Sequence, residues 1–491
     1  MILRNGTIRT LDPSLPSVSA LWIAGERIAG GVGVHETSLP TPETVDLGGR
    51  CVLPGFTDSH VHFPTWAMTQ RQTKLDGSTS LAEAVDRIRA SGWSRGYGWR
   101  DAEWSDASPT RQALDAISSE PAAMWSKDYH SLWLNSAALA LAGGDLAVEG
   151  GVVERDADGE PTGVLREESA WRYKDRYLTI SAEEYVDAMR DGVKVAHTRG
   201  VTCVHDKDGW LGAAGLWQTL APQLRVWQSV PADKLPDLRA LSMRSGIGSP
   251  LLRVGYLKVF MDGTLGSRTA WMLDGSGVRI TSGDELAEIV REGAAAGWPV
   301  GVHAIGDRAN REALDAFEST QDAWRPRGLR QRIEHAQCLA PEDVHRFAEL
   351  GVAVSAQFTH APSDEQLAKR FWADKLDGTY SFRSLVDSGA LVANGSDAPV
   401  EELDAWAGVV AAVVGHWRDD QRLTLEQALH ATCVAPAWLS HDEHVRGTLV
   451  PGRYADLVVL DRDPFAGDLE DVSVVATMVA GRWVHNPPPW P

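Results

Sequence analysis

The middle of the chain predicts an α/β fold built as a closed parallel barrel, and three observations carry that expectation. Eight short apolar runs alternate with amphipathic helical patterns. The two ends share another texture, brief strand-like runs broken by Gly and Asp. A long segment separates the first apolar run from the second. Alternating strands and helices imply a parallel sheet, and eight units imply a (β/α)8 TIM-type barrel. The full expectation is that barrel with an inserted subdomain, plus a small β-sandwich domain built from both termini.

In chain order, residues 1–52 run through MILRNGTIRT, SALWIAGERIAG and TVDLGGRCVL, and residues 443–491 contain GTLVPGRYADLVVLDRD and VVATMVAGRWVHN. Neither segment can bury a sheet face alone, so the two are expected to pair. The barrel is expected over 53–442. Its strands are read at Phe56–His62, Thr202–Asp206, Leu224–Val230, Val254–Phe260, Val300–Ala304, Arg332–Ala336, Val352–Gln357 and Leu391–Ser396. Helical patterns cover Asp284–Ala296, Arg308–Phe317, Pro341–Leu350 and Ser381–Ser388. The stretch 65–195 is too long for a loop and reads as an inserted subdomain or lid.

Composition narrows the partners. Across 491 residues, 47 Lys+Arg stand against 67 Asp+Glu, a net charge of −20. Nucleic acids and anionic membrane surfaces need a basic face, so neither is expected. Cys51, Cys203, Cys338 and Cys433 lie far apart with no C-x-x-C pair, as suits reduced thiols in a cytoplasmic protein. The start MILRNGTI turns at Asn5-Gly6 and does not read as a signal peptide. No window reads as a membrane span. The expected partner is a small-molecule substrate; a homodimer is one assembly left open.

The chemistry begins at LPGFTDSHVHF, residues 53–63. Side chains two apart on a strand share a face, which puts Asp58, His60 and His62 together. Buried imidazoles without partners cost about 1–3 kcal/mol each. A divalent cation removes that cost, because neutral imidazole is a good ligand for it. Two hydrogen-bonded core histidines are the plainer alternative. VGVHAIGD then places His303 toward the C-terminal end of one strand, RIEHAQ places His335 on the next, and VANGSDAPV closes the last with Asp397. Barrel side chains at those ends converge, so four histidines and an aspartate make a zinc-type ligand set. Lys258, inside the apolar run YLKVF, should have a lowered pKa; pairing with Asp262 at the rim is its structural alternative.

PGFTDSHVH, LKVFMDGTLGSRTA, VGVHAIGDRA, RIEHAQ, NGSDAPV and GTLVPGRYADLVVLD together resemble the blocks of the amidohydrolase superfamily, in the amidohydrolase family 3 branch that includes N-substituted formamide deformylases. The resemblance spans nearly the whole chain. It implies a site of one or two divalent ions, zinc foremost, held by His60, His62, His303, His335 and Asp397. It also implies that Lys258 occupies the position that is carbamylated and bridges the ions in two-metal members. The insertion, with DYHSLWLN and GVLREES, is expected to close over the site.

The reaction expected of such a site is hydrolysis of the C–N bond of an amide, an N-formyl or N-acyl amine or a related group. A metal-activated water attacks, with Asp397 taking its proton and returning it to the leaving amine. His130 and Arg166 are candidate contacts to substrate or oxyanion, against local packing for His130 and pairing with Glu167 or Glu168 for Arg166. Arg268 is a third candidate at the mouth, against a surface ion pair. Asp307 reads as a helix N-cap, Glu334 as structurally paired and facing away from His335, Cys203 as core filler, and His205 as a remote candidate. Asp58 is expected to bond a ligand histidine. Deamination of a cyclic or aryl amine is the competing reaction. It is disfavoured because Gly306 stands where single-metal deaminases carry Glu. A catalytically silent barrel is a third reading, disfavoured because the ligand set is complete.

Overall fold

The computed structural model describes residues 1–30, 43–143, 146–221 and 223–490. Eight parallel strands follow one another around the barrel: β1 (Phe56–Val61), β2 (Val201–Asp206), β3 (Arg225–Pro231), β4 (Leu252–Phe260), β5 (Val300–Ala304), β6 (Arg332–His335), β7 (Ala353–Ala356) and β8 (Val392–Asn394). They coincide with the eight apolar runs of the sequence. These runs are apolar because a barrel strand is covered on both faces, by side chains inside and helices outside. The helix Gly283–Ala296 illustrates the outer layer: Ser282 and Glu285 form a capping box, and Leu286, Val290 and Ala294 turn inward.

Closure between β1 and β8 is made at their C-terminal ends. Val61 bridges Ala398 in parallel fashion. Asp397 N–H donates to His60 O at 2.7 Å, and His62 N–H donates to Ala398 O at 2.8 Å. Asp58 reinforces the seam, accepting from the His60 N–H at 3.1 Å, the Ser396 N–H at 3.0 Å and the Ser396 hydroxyl at 2.5 Å. The expected hydrogen bond to a ligand histidine is made through the His60 backbone N–H and not its ring. The Asp58 carboxylate is consumed by the backbone that joins first strand to last. Burial raises that carboxyl to about 6, against the opposing pull of these hydrogen bonds.

Both termini build one eight-stranded sheet, in which Cys51–Pro54 lies between Ile2–Arg9 and Leu457–Leu460. Its apolar side chains, among them Leu3, Ile8, Val52, Leu457 and Met478, form a core of their own. Arg225 at the start of β3 clamps this unit through Asp456, at 2.6 and 3.0 Å. The insertion carries a six-stranded sheet running from Thr73–Lys74 to Pro161–Glu167, with cores around Trp99 and Trp133 on one side and Leu132 and Tyr173 on the other. Arg100–Asp364 at 2.7 Å fastens it to the helix after β7, and Lys127–Glu401 at 2.9 Å and Lys74–Glu402 at 2.6 Å to the loop after β8. Among the described residues, no helix is long and apolar enough to cross a membrane.

Asp307 is not the N-cap expected of it. Gly306 holds that position, and the Asp307 carboxylate accepts from the Leu273 N–H at 2.7 Å. Gly395 shows how tightly the seam is packed, since a Cβ there would sit 2.6 Å from His60 N and 2.7 Å from His60 Cβ. Both neighbours belong to the strand and cannot swing aside. Gly395→Ala is expected to destabilise the fold by about 1–3 kcal/mol, read as a lower denaturant midpoint with unchanged m-value.

Candidate metal centre

The C-terminal ends of β1, β5, β6 and β8 bring His60, His62, His303, His335 and Asp397 together, with Lys258 on β4 close enough to interact with Asp397. Asp397 Oδ1 lies 3.2 Å from His60 Nε2 and 3.5 Å from His62 Nε2, and Oδ2 lies 3.9 Å from His335 Nδ1. Ring centroids of His60 and His335 are 4.8 Å apart, and those of His303 and His335 are 4.5 Å apart. Two residues here adopt left-handed backbone, His335 at φ 76° and Asp397 at φ 57°. Such conformations are uncommon away from glycine and persist where surrounding structure enforces them.

Each of these four imidazoles has an oxygen acceptor on one ring nitrogen. His60 Nδ1 donates to Glu334 at 2.8 Å, and His62 Nδ1 to Asp208 at 2.8 Å. His335 Nδ1 donates to Gln357 Oε1 at 2.7 Å, the amide being oriented by its own N–H bond to Ser355 O at 3.0 Å. His303 uses the other nitrogen, Nε2, toward Gly263 O at 3.1 Å. An acceptor on one nitrogen fixes the proton there and leaves the other bare, which is what a metal ligand requires. His60 Nε2 is buried and makes no hydrogen bond, as is true of Lys258 Nζ. The donor set fits a divalent cation. The most compact groups of donors, within 4.8 Å of one another, are His60–His62–Asp397 and His335–His360–Asp397; His303 adjoins them through His335.

Electrostatics agree. Burial pushes His335 and His303 well below the ordinary imidazole range, so both are neutral. Burial would also lower His62, but Asp208 and Asp397 outweigh it and raise this imidazole to about 9. A cation entering the site has to displace that proton, since the ligand must be bare. Asp397 itself is buried, yet His60 and His62 beside it more than offset this and hold it well below the usual carboxylate range. Burial lowers the Lys258 amine to about 8, with Glu334 and Asp397 pulling the other way. It does not pair with Asp262, whose carboxylate accepts from the N–H groups of Trp271, Ile305 and Gly306.

Above the donors lies a cavity of about 750 Å³ lined by both barrel and insertion, including Trp125, Tyr129, Trp171, Trp210 and Phe260. His130 reaches into it, its Nδ1 on Glu167 at 2.6 Å and its ring 5.7 Å from that of His303. Arg166 is not among the lining residues. Its guanidinium binds Glu154 at 2.6 Å and the Ser131 hydroxyl at 2.8 Å, not Glu167 or Glu168. Arg268 is exposed and also outside the lining, 6.0 Å above the Phe371 ring. His205 lies inside the barrel against Arg332 at 3.1 Å and does not reach the cavity. Glu334 is paired as expected, with Lys207 at 3.0 Å and Arg332 at 2.6 Å, and through His60 it also orients the site. Two residues escaped the sequence reading: Asp208, which holds His62, and His360, which follows β7. A histidine just past the C-terminal end of a barrel strand was the available signal.

Comparison with known proteins places the chain in a family. A family model described as the amidohydrolase family matches residues 43–485, and the chain belongs to that family. It is similar to protein LONG AFTER FAR-RED 3 of Arabidopsis thaliana, at 31% identity over 99% of this chain and 91% of that protein. It is also similar to N-substituted formamide deformylase of Arthrobacter pascens, at 27% identity over 98% of this chain and 97% of that one. A solved structure of an uncharacterized metal-dependent hydrolase from Pyrococcus horikoshii OT3 superposes with a TM-score of 0.79, at 28% identity, covering 96% and 99% of the two chains.

If Asp208 sets His62 as a ligand, Asp208→Asn should weaken metal affinity about 10–100-fold. Competition with a chromogenic chelator measures this, and unchanged affinity contradicts it.

Proposed function

We propose that the protein is a metal-dependent amidohydrolase that cleaves the C–N bond of an N-formyl or other N-acyl amine. The observation that carries this reading is Asp397, an ionised carboxylate set against His60 and His62 at 3.2 and 3.5 Å where both can offer bare nitrogens. The formamide deformylase among the relatives supports an acyl amine as substrate. His60, His62, His303, His335 and Asp397 would hold one or two ions, and imidazole with a single carboxylate is a donor set that zinc favours. When bound, a divalent cation supplies Lewis acidity that polarises a carbonyl and makes water a stronger acid.

The chain's own groups do the rest. Asp397 accepts a proton from the attacking water and returns it to the departing nitrogen, which otherwise leaves as a poor amide anion. Lys258, with its lowered pKa and free amine, can add to CO₂ with loss of one proton, giving a carbamate that would add an anionic oxygen ligand to the donor set. His130, anchored on Glu167, contacts substrate from the insertion. The aromatic side chains of the cavity take up the apolar part of the substrate and exclude water. Gly306, lacking a side chain, offers no acid–base group for deamination. Four buried thiols suit a reducing, cytoplasmic setting.

A turnover screen over N-formyl, N-acetyl and cyclic amides with zinc-loaded protein tests the reading. Activity on at least one acyl amine is expected, and Asp397→Asn should lower kcat by about 10²-fold or more. Equal activity in that variant removes Asp397 from proton transfer.

A further inference from the structure

His360 sits among the metal-ligand candidates, yet its surroundings give it the opposite polarity. It opens the helix His360–Phe371 after β7, is 4% exposed, and lines the cavity. One of its ring nitrogens lies within 4.8 Å of donor atoms of both His335 and Asp397. By position alone it reads as a further ligand.

The groups behind it say otherwise. Asp364 accepts from Arg100 at 2.7 Å and from the Tyr380 hydroxyl at 2.8 Å. Gln337 Nε2 lies 3.5 Å from the same carboxylate and 3.0 Å from His360 Nδ1. A carboxylate only accepts, so the amide end facing Asp364 is the NH₂. That NH₂ also faces His360 Nδ1, which must therefore be the bare nitrogen, with the ring proton on Nε2. His60, His62, His335 and His303 each meet an oxygen acceptor on one ring nitrogen; His360 alone of the five meets a donor. Its Nε2 is buried and has no hydrogen-bond partner.

We propose that His360 is not a metal ligand but a hydrogen-bond donor, its Nε2–H directed at the acyl oxygen of the substrate where negative charge develops. The identity of that oxygen rests on the amide-hydrolase reading; the tautomer does not. A buried donor held by Gln337, Asp364 and Arg100 is preorganised for a developing oxyanion, and loss of one such donor typically lowers kcat about 10²–10³-fold.

Three measurements on zinc-loaded protein test this. In ¹⁵N–¹H correlation spectra of histidine-labelled protein, with His360 assigned by its loss in His360→Gln, the proton should reside on Nε2. A proton on Nδ1 overturns the proposal. Zinc content should be unchanged in His360→Ala, and its loss would make His360 a ligand after all. On a turned-over amide, His360→Ala should lose about 10²–10³-fold in kcat with little change in KM. His360→Gln, which keeps an N–H at similar reach, should recover most of it; unchanged kcat in the alanine variant overturns the donor role. If wild-type protein hydrolyses no amide, the proposed function fails, while spectra and zinc content still decide whether His360 is a ligand or a donor.

Discussion

The seam between the first and eighth barrel strands is the constraint on which the rest depends. The residues that close the barrel include the proposed metal ligands His60, His62 and Asp397. Asp397 reaches His60 through its own backbone N–H, and His62 holds Ala398 in the same way. Asp58 ties both strands with a carboxylate buried to 1% exposure. Side chains on such a scaffold cannot drift, because moving one ligand means opening a sheet. The left-handed backbone at Asp397 is held by the same closure.

Below the seam, burial of charge is balanced by pairing. Glu334 is fully buried but receives His60, Lys207 and Arg332, and these hold it well below the usual carboxylate range. Removing one partner of such a pair typically costs about 3–5 kcal/mol, because the other charge is left uncompensated. The network therefore serves two ends. It keeps a carboxylate stable in the barrel interior, and it spends one of that carboxylate's lone pairs on fixing the His60 tautomer. Asp208 and Gln357 repeat the second task for His62 and His335. Five imidazoles crowd one wall, and the acceptor or donor behind each decides what it can do in front.

Much of this was legible in the sequence, for identifiable reasons. Strands covered on both faces read as short runs rich in apolar and β-branched residues between helical patterns, so all eight barrel strands stood out. Strand alternation put His60 and His62 on one face, and the C-terminal ends of later runs supplied His303, His335 and Asp397. What stayed hidden depended on pairings between distant segments. Arg166 was read against its neighbours Glu167 and Glu168, but its partner Glu154 comes from the adjacent strand of the insertion. Asp58 has the right spacing for a ligand histidine, yet the eighth strand claims it. His360 lies beyond the strand, where no alternation applies, and its polarity is set by Gln337 from the loop after β6 and by Asp364 of its own helix.

The central claim is that the imidazoles of the seam, locked into one tautomer by acceptors behind them, hold a divalent cation with Asp397. Anomalous diffraction at the zinc edge from crystals of the zinc-loaded protein tests it most directly. A peak is expected at bonding distance, about 2.0–2.2 Å, from His60 Nε2, His62 Nε2 and an Asp397 oxygen. Absence of a peak there, or one bound instead through the nitrogens that face Glu334 and Asp208, would contradict it.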